Sequence, residues 1–257
     1  MTIMPKIKYY YSPSINIIRD LNKNLEYIPT PNAKQVYTHI AKNYMTGIHS
    51  FNIVGSYGTG KSSFLLALEH HLNREREYFS PLNGRLKSVK GFEFLPIVGE
   101  ATSLLNYFAI EFGLENKDYS TRDIFKRIEL AYTEISKLGK GWLIVIDEFG
   151  KFLEYAANNN PEKELYFIQQ LAEFVNDDSK NILFVTTLHQ GFNDYAIGLS
   201  KTQRNEWDKV RGRLKEITFN EPVEQLLLLA AERISSGQGG IKKSSTFDQL
   251  FDSIARS

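Results

Sequence analysis

Four apolar residues, FNIV at 51–54, run directly into GSYGTGKSS at 55–63. A strand that breaks into a glycine loop and restarts as a helix constrains both the fold and the chemistry of a chain. Gly55, Gly60, Lys61 and Ser62 satisfy the pattern G-x-x-x-x-G-K-[ST]. Its glycines let backbone N–H groups turn inward around phosphates, at φ values that a Cβ opposes. The N-terminus of the following helix adds its dipole to the same cradle. Lys61 is placed to reach the β- and γ-phosphates as a point charge, and Ser62 to ligate Mg²⁺. Tyr57, Gly58, Thr59 and Ser63 complete the expected nucleotide-binding loop.

The segments on either side extend this pattern into a fold class. A helix is expected over 32–46, with Val36, Ile40 and Tyr44 on one face and Gly47 as its stop. The helix after the loop is expected from Ser62 to about residue 78. FEFLPIVG (92–99) has the apolar density of a buried strand, and Leu104, Phe108 and Phe112 recur at helical spacing within 103–112. Ser120, followed three residues later by Asp123, opens another helix. WLIVID (142–147) is the most strand-like segment, Pro161 suits the first turn of a helix reaching Asn176, and NILFVTT (181–187) is a further buried strand. KEITF (215–219) is a weaker one. Strands alternating with helices imply an α/β domain built on a doubly wound, parallel, five-stranded sheet covered on both faces.

Composition narrows the setting. The 257 residues carry a formal net charge of +1, which gives no overall case for nucleic-acid or membrane binding. There is no cysteine, so disulfides and thiolate chemistry are excluded. No apolar run is long enough to span a membrane and no secretory h-region opens the chain, so the expected location is cytoplasmic, with no membrane partner. SSGQGGIKKSST (235–246) reads as a polar linker, and the 11 residues after it are too few for a domain. The chain therefore reads as part of a larger protein. Its expected organisation is an N-terminal segment and helix over 1–50, a core over 51–221, and the start of a helical lid with the linker over 222–257.

Three further constellations bear on chemistry. In WLIVIDEFG, Asp147 and Glu148 fall at the C-terminal edge of a parallel strand, where open α/β sheets bind ligands. Asp147 suits a metal ion held through water, and Glu148 suits a base that polarises an attacking water. A solvated acidic turn is the alternative for that pair taken alone. In NILFVTTLHQ, Thr186, Thr187, His189 and Gln190 lie at or beyond a strand end; Thr187 is the better placed to sense a γ-phosphate, and His189 suits a surface or core-edge position equally. Arg204, Arg211 and Arg213 cluster ahead of the last strand, either as a solvated basic helix face or as a source of guanidinium for a neighbouring subunit's phosphate. LLLLAA (226–231) is apolar nearly all round a helix and needs cover.

These motifs resemble the AAA+ ATPases, and among them the clade of origin-recognition and initiator ATPases and bacterial signalling ATPases. The similarity spans most of residues 10–234. GSYGTGKSS resembles the clade's Walker A motif, LIVIDEFG its Walker B motif, and ILFVTT the strand leading to sensor 1, which carries over to Thr187. VRGRLKEITFNEPVEQL resembles the segment that places an arginine finger before the last core strand, which singles out Arg213. Ile28 and Pro29 match the segment that lies beside adenine, although a proline-stiffened turn packed on the core explains them equally well. EFGKFLEYAANNN and TTLHQGF are similar, less specifically, to ATPase subunits of bacterial mobile-element or phage-defence systems. The resemblance implies ATP and Mg²⁺ as cofactors, and a homo-oligomer in which Arg213 completes a neighbour's site. It also implies a protein effector or nucleic acid as partner. The chain departs from the family after Arg233, where the lid stops and no sensor-2 arginine follows; Arg256 is isolated beyond the linker.

Three functions compete on these residues. An ATP-hydrolysing module working as an oligomer is favoured by Glu148. A nucleotide-gated scaffold with little turnover, recruiting an effector, is left open by the short lid. A small-molecule kinase lacks an acceptor-binding segment near the loop.

Overall fold

The computed structural model describes residues 15–23, 25, 27–114, 118–222, 225 and 227. Arg233, the 235–246 linker, Arg256 and nearly all of the apolar 226–231 stretch lie outside them. The chain divides into a unit of Asn16–Asn220 and a second comprising Met1–Ile15 with Glu221–Ser257. The larger unit carries the whole sheet.

Among the described residues five strands, β1 (Ser50–Val54), β2 (Phe92–Val98), β3 (Gly141–Asp147), β4 (Ile182–Leu188) and β5 (Lys215–Thr218), pair in the order β2-β3-β4-β1-β5. Every pairing is parallel. This is the five-stranded, doubly wound sheet expected from the alternation of elements. All seven residues of β3 and all seven of β4 are buried, which is what a parallel strand covered on both faces requires. Register aligns Val54 with Leu188, and Ile146 with Thr186. The C-terminal ends of β1, β4 and β3 therefore finish side by side. That edge receives both the glycine loop and the acidic pair.

Among the described residues up to 222, eight α-helices pack around this frame: α1 (Pro31–Tyr44), α2 (Lys61–Leu72), α3 (Gly84–Ser88), α4 (Leu104–Glu111), α5 (Thr121–Lys137), α6 (Gly150–Asn158), α7 (Pro161–Val175) and α8 (Lys201–Arg213). Thr30 caps α1 by accepting from Ala33 N, and Ser120 and Asp123 form a reciprocal capping box on α5. Phe108, Ile128, Phe149, Phe167 and Trp207 belong to one apolar core with the inner faces of β3 and β4.

One expected boundary is corrected. α2 ends at Leu72, not near residue 78. Asn73 leaves the helix to accept from Phe92 N through Oδ1 at 2.7 Å, and Arg74 turns to φ +61°. The Arg74 guanidinium then donates to the carbonyls of Lys87, Val89 and Lys90, which fixes the turn against the loop before β2. No apolar residue follows Leu72 until Tyr78, so nothing continues the buried stripe. The sequence reading also lacked α3, α6 and a 3₁₀ turn at Phe192–Ala196, and met α8 only as a basic helix face without bounds. Among the described residues no helix is long and apolar enough to cross a membrane.

The opposite edge of the sheet is fastened by Asn176, just past α7. Its Oδ1 accepts from His49 N and Ser50 N at 2.8 and 3.1 Å, and its Nδ2 donates to Ser50 Oγ at 2.7 Å. Ser50 Oγ donates in turn to Arg213 O at 2.6 Å. The ends of α7 and α8 are thereby tied to the start of β1.

Candidate nucleotide site at the sheet edge

The loop is shaped by two close approaches. Gly55 N donates to Leu188 O at 3.1 Å, and a Cβ on Gly55 would lie 2.1 Å from the carbonyl oxygen of Phe219. Only a residue without a side chain fits between β1 and the chain leaving β5. Gly58 and Gly60 adopt φ of +75° and +91°, in the left-handed region. Gly60 O then accepts from Phe64 N, starting α2. Thr59 Oγ1 donates to Ser56 O at 2.9 Å and steadies the turn.

Lys61 opens α2 and is buried. Its Nζ donates to Gly55 O at 2.5 Å and Ser56 O at 2.8 Å, and lies 3.4 Å from His189 Nδ1. Burial lowers the pKa of the ammonium, while the charges of Asp147 and Glu148 oppose that shift. The sheet order explains the electrostatic link: β4 separates β1 from β3, so the loop and the acidic pair flank its end.

At the end of β3 the acidic pair is built around Thr187. Thr187 Oγ1 donates to Asp147 Oδ1 at 2.6 Å and accepts from Glu148 N at 2.9 Å. Glu148 N also lies 3.1 Å from Asp147 Oδ1, and Phe149 N donates to Thr187 O. Glu148 adopts φ +56°, uncommon for a residue with a side chain. Gly99 accommodates that turn, because a Cβ there would lie 2.0 Å from Glu148 O. The Glu148 carboxylate is half-buried and pairs with Lys151 Nζ at 2.5 Å. This contact raises the Lys151 pKa.

The structure thus brings together Gly55, Tyr57, Gly58, Thr59, Gly60 and Lys61 with Asp147, Glu148 and Thr187. Ser62 and Ser63 are half-buried in the first turn of α2. Thr186 points elsewhere: its hydroxyl donates to Asn52 Oδ1 at 3.0 Å within the sheet. Ile28, 42% exposed, and Pro29 precede the cap of α1, and no contact shown by the structure links them to the loop. Arg213 lies at the other edge of the sheet, a five-residue strand away from the loop, about 16 Å at a rise of ~3.3 Å per residue. Its guanidinium pairs with Glu173 at 2.6 Å. Arg204 donates to Leu199 O, and Arg211 is exposed.

One participant, Lys151, has no signal in the sequence motifs, and a second, His189, has no specific place there. Lys151 stands three residues after Glu148 on α6, a spacing that puts both on one helical face, but α6 itself was not recognised. His189 was considered without a specific place; the structure stacks it on Tyr57, ring centroids 3.5 Å apart and 19° between planes, beside Lys61. Burial first, and then the Lys61 charge, lower the His189 pKa.

Asp147 can take a cation. Its Oδ1 is held by Thr187 and Glu148 N, whereas Oδ2 has no hydrogen-bond partner among the described residues. Ser62 supplies a hydroxyl at the start of α2. A carboxylate, a hydroxyl and a phosphate are the oxygen donors that Mg²⁺ prefers.

No protein-family model matches the sequence, and no curated protein matches it. Among solved structures, the ORC2 protein of Aeropyrum pernix, in ADPNP–ADP complexes, superposes with a TM-score of 0.51 at 14% identity, covering 83% of this chain and 55% of that one. DnaA from Aquifex aeolicus, bound to AMPPCP, gives 0.49 at 13% identity over 90% of this chain and 60% of its own. PCH-2 of C. elegans gives 0.49 at 17% identity over 88% and 52%. This chain spans a little over half the length of the structures it matches. At such identities the likeness is one of fold.

Proposed function

We propose, from the AAA+ ATPase fold that this chain has, that it binds ATP with Mg²⁺ at the edge formed by β1, β4 and β3 and hydrolyses it. The observation that carries this reading is the single hydroxyl of Thr187, which holds Asp147 Oδ1 and the backbone of Glu148 in one arrangement across from Lys61. A loop match alone would require only phosphate binding. An ordered acid pair beside it supplies a metal ligand and a base.

The residues divide the work. Gly58 and Gly60 let the loop backbone face the phosphates, and the N-terminus of α2 favours their charge. Lys61 transfers its hydrogen bonds from Gly55 O and Ser56 O to phosphate oxygens. Asp147 and Ser62 would hold Mg²⁺, which screens phosphate charge when bound. Glu148 accepts a proton from the attacking water, and Thr187 positions Glu148 through its backbone. Ile28 and Pro29 are assigned to the adenine side by resemblance to the family. Arg213 is too far from its own loop to serve it, so its role is in a neighbouring copy of a homo-oligomer, after release from Glu173.

The work done with that energy is proposed as a rearrangement passed to a protein effector or nucleic acid, in a larger bacterial protein with a role in phage defence. The core is assigned to 51–221, with lid and linker following. A second reading, a nucleotide-gated scaffold with little turnover, is favoured by the ion pairs that engage Glu148 and Arg213 with Lys151 and Glu173.

Glu148→Gln separates the two readings. For a hydrolytic site, the variant binds ATP as tightly as the parent and loses most turnover, and mixing it with Arg213→Ala restores part of the activity. Removal of an arginine finger lowers kcat by about 10³–10⁵-fold in related phosphoryl transfer, so recovery in mixed assemblies is readily seen. Turnover that Glu148→Gln leaves unchanged removes Glu148 as the base. A parent protein that binds ATP and assembles without turnover supports the scaffold.

A further inference from the structure

The last turn of α2 carries a second cluster, on the side of the helix facing the N-terminal segment. Glu69 and His70 stand in the last turn of α2, and Glu75 follows in the turn fixed by the bonds from Glu75 N to His70 O (2.9 Å) and Asn73 N to Glu69 O (3.0 Å). One donor atom from each of Glu69, His70 and Glu75 lies within 4.8 Å of the others. They border a cavity of about 480 Å³ lined also by Leu21, Lys23 and Arg76.

Acidic clusters are common, but this one contains a group that its own protein leaves unmatched. Glu69 is 6% exposed; its Oε1 accepts from Asn73 Nδ2 at 2.8 Å, while its buried Oε2 has no hydrogen-bond partner. His70 Nε2 lies 3.4 Å from Oε2, and is itself 3.4 Å from Leu21 O and directed at that carbonyl. One ring proton does not serve both oxygens. Glu75 Oε2 lies 4.0 Å from the same nitrogen, on the exposed side. A buried carboxylate oxygen without a donor is rare in folded proteins, and a helix C-terminus, with its negative dipole end, makes a carboxylate there still less favourable.

A cation resolves all three contacts at once. Zn²⁺ sits about 2.0–2.2 Å from nitrogen and oxygen ligands in a tetrahedron, so its ligands stand roughly 3.3–3.5 Å apart. The 3.4 Å separations of His70 Nε2 from Glu69 Oε2 and from Leu21 O match that edge, and a small rotation of the exposed Glu75 brings in the remaining carboxylate. The charges on the cavity wall do not block it. Lys23 is held by Asp20 at 2.6 Å, and the Arg76 side chain is engaged with Tyr78.

We infer that Glu69 Oε2, His70 Nε2, Glu75 and the Leu21 carbonyl form a site for a divalent transition-metal ion of the zinc class, separate from the nucleotide edge. The ion clips the end of α2 to the segment that leads through Leu25 towards Ile28 and Pro29. One imidazole, two carboxylates and a carbonyl form a nitrogen–oxygen set that suits zinc better than magnesium or calcium, which take oxygen alone. The site draws on no residue assigned to nucleotide, so its fate is independent of that assignment.

The test is titration of Zn²⁺ alone into the chelator-treated full chain without nucleotide, followed by calorimetry, with Co²⁺ as a spectroscopic substitute. One ion is expected per chain, raising Tm, and tetrahedral Co²⁺ gives intense visible absorption. His70→Gln and Glu75→Gln are each expected to weaken binding by about tenfold or more, the scale seen even for outer-shell losses. Glu75 is exposed, so its variant folds normally and keeps the comparison decisive. Absence of Zn²⁺ binding by the parent overturns the proposal, as does an unchanged affinity in either variant.

Discussion

Thr187 uses one oxygen to orient two acids. Donating to Asp147 Oδ1 and accepting from Glu148 N, it fixes a carboxylate and a left-handed backbone turn together. Its position at the end of an apolar strand was legible, because strand ends in parallel sheets face ligands. Its actual partner was not legible, since the alignment of β3 with β4 is a tertiary fact. Beside the expected sensing of a γ-phosphate, we propose that it positions the acid pair. Thr187→Val is expected to destabilise the fold by about 1.5–3 kcal/mol, the usual value for a hydrogen bond to a charged group. The same variant should reduce kcat more than ATP affinity, and Thr187→Ser should keep both near the parent. Urea unfolding and steady-state kinetics measure the two effects. A Val variant with the parent's kcat would show that the bridge is idle.

At the level of elements, what could be read depended on whether a local signal existed. Ser120 with Asp123, and Pro161, mark helix starts through backbone chemistry that needs no tertiary context, and α5 and α7 begin where those residues place them. α6 has no such mark: Phe149 stands at its start without a side-chain cap, and Gly150 is its first residue. α8 buries only Trp207 and Val210, so its apolar period is faint, although Ser200 and Gln203 form a capping box. α2 was overextended because charged residues tolerate helix, while the interactions that stop it, from Asn73 and Arg74, reach across to residues 87–92. Asp123 has its pKa lowered to about 2, chiefly by the Ser120 hydroxyl. Ser120→Ala removes the cap and is expected to cost about 0.5–2 kcal/mol, read as a lower Tm. An unchanged Tm would mean that α5 is held by packing alone.

Across the described residues, the parallel sheet separates two groups of candidate site residues. One gathers the loop, Asp147, Glu148 and Thr187; the other holds Arg213 paired with Glu173, and we propose that this arginine serves a neighbouring copy. The alternation of strands and helices made the first group legible from sequence. The pairing of Arg213 with Glu173, and the stacking of Tyr57 on His189, depend on side-chain placements that no local pattern encodes.

The same buried architecture sets a dependence on pH. His49, His71 and His189 all have lowered pKa values, each mainly through burial. The unfolded chain, with histidine near pKa ~6.5, then binds more protons than the folded one just below that pH. Stability is therefore full above about pH 6.5 and falls as pH drops from there through the lowered folded values. Tm measured at pH 7.5 and 5.5 should be lower at the acidic value, with net proton uptake on unfolding. Equal values would show that these imidazoles are charged in the fold.

The central assignment, a phosphate-binding loop served by Lys61, is most directly tested by calorimetric titration of Mg²⁺–ATP into the parent and into Lys61→Ala. Lys61 is buried, its ammonium donates to Gly55 O and Ser56 O of the loop, and the charges of Asp147 and Glu148 are in range. Loss of a charge-assisted hydrogen bond, about 1.5–3 kcal/mol, corresponds to roughly 10- to 150-fold weaker binding as a minimum. The expected result is saturable binding by the parent and loss of binding, or at least that weakening, in the variant. Equal affinity in the two proteins would contradict the nucleotide site itself.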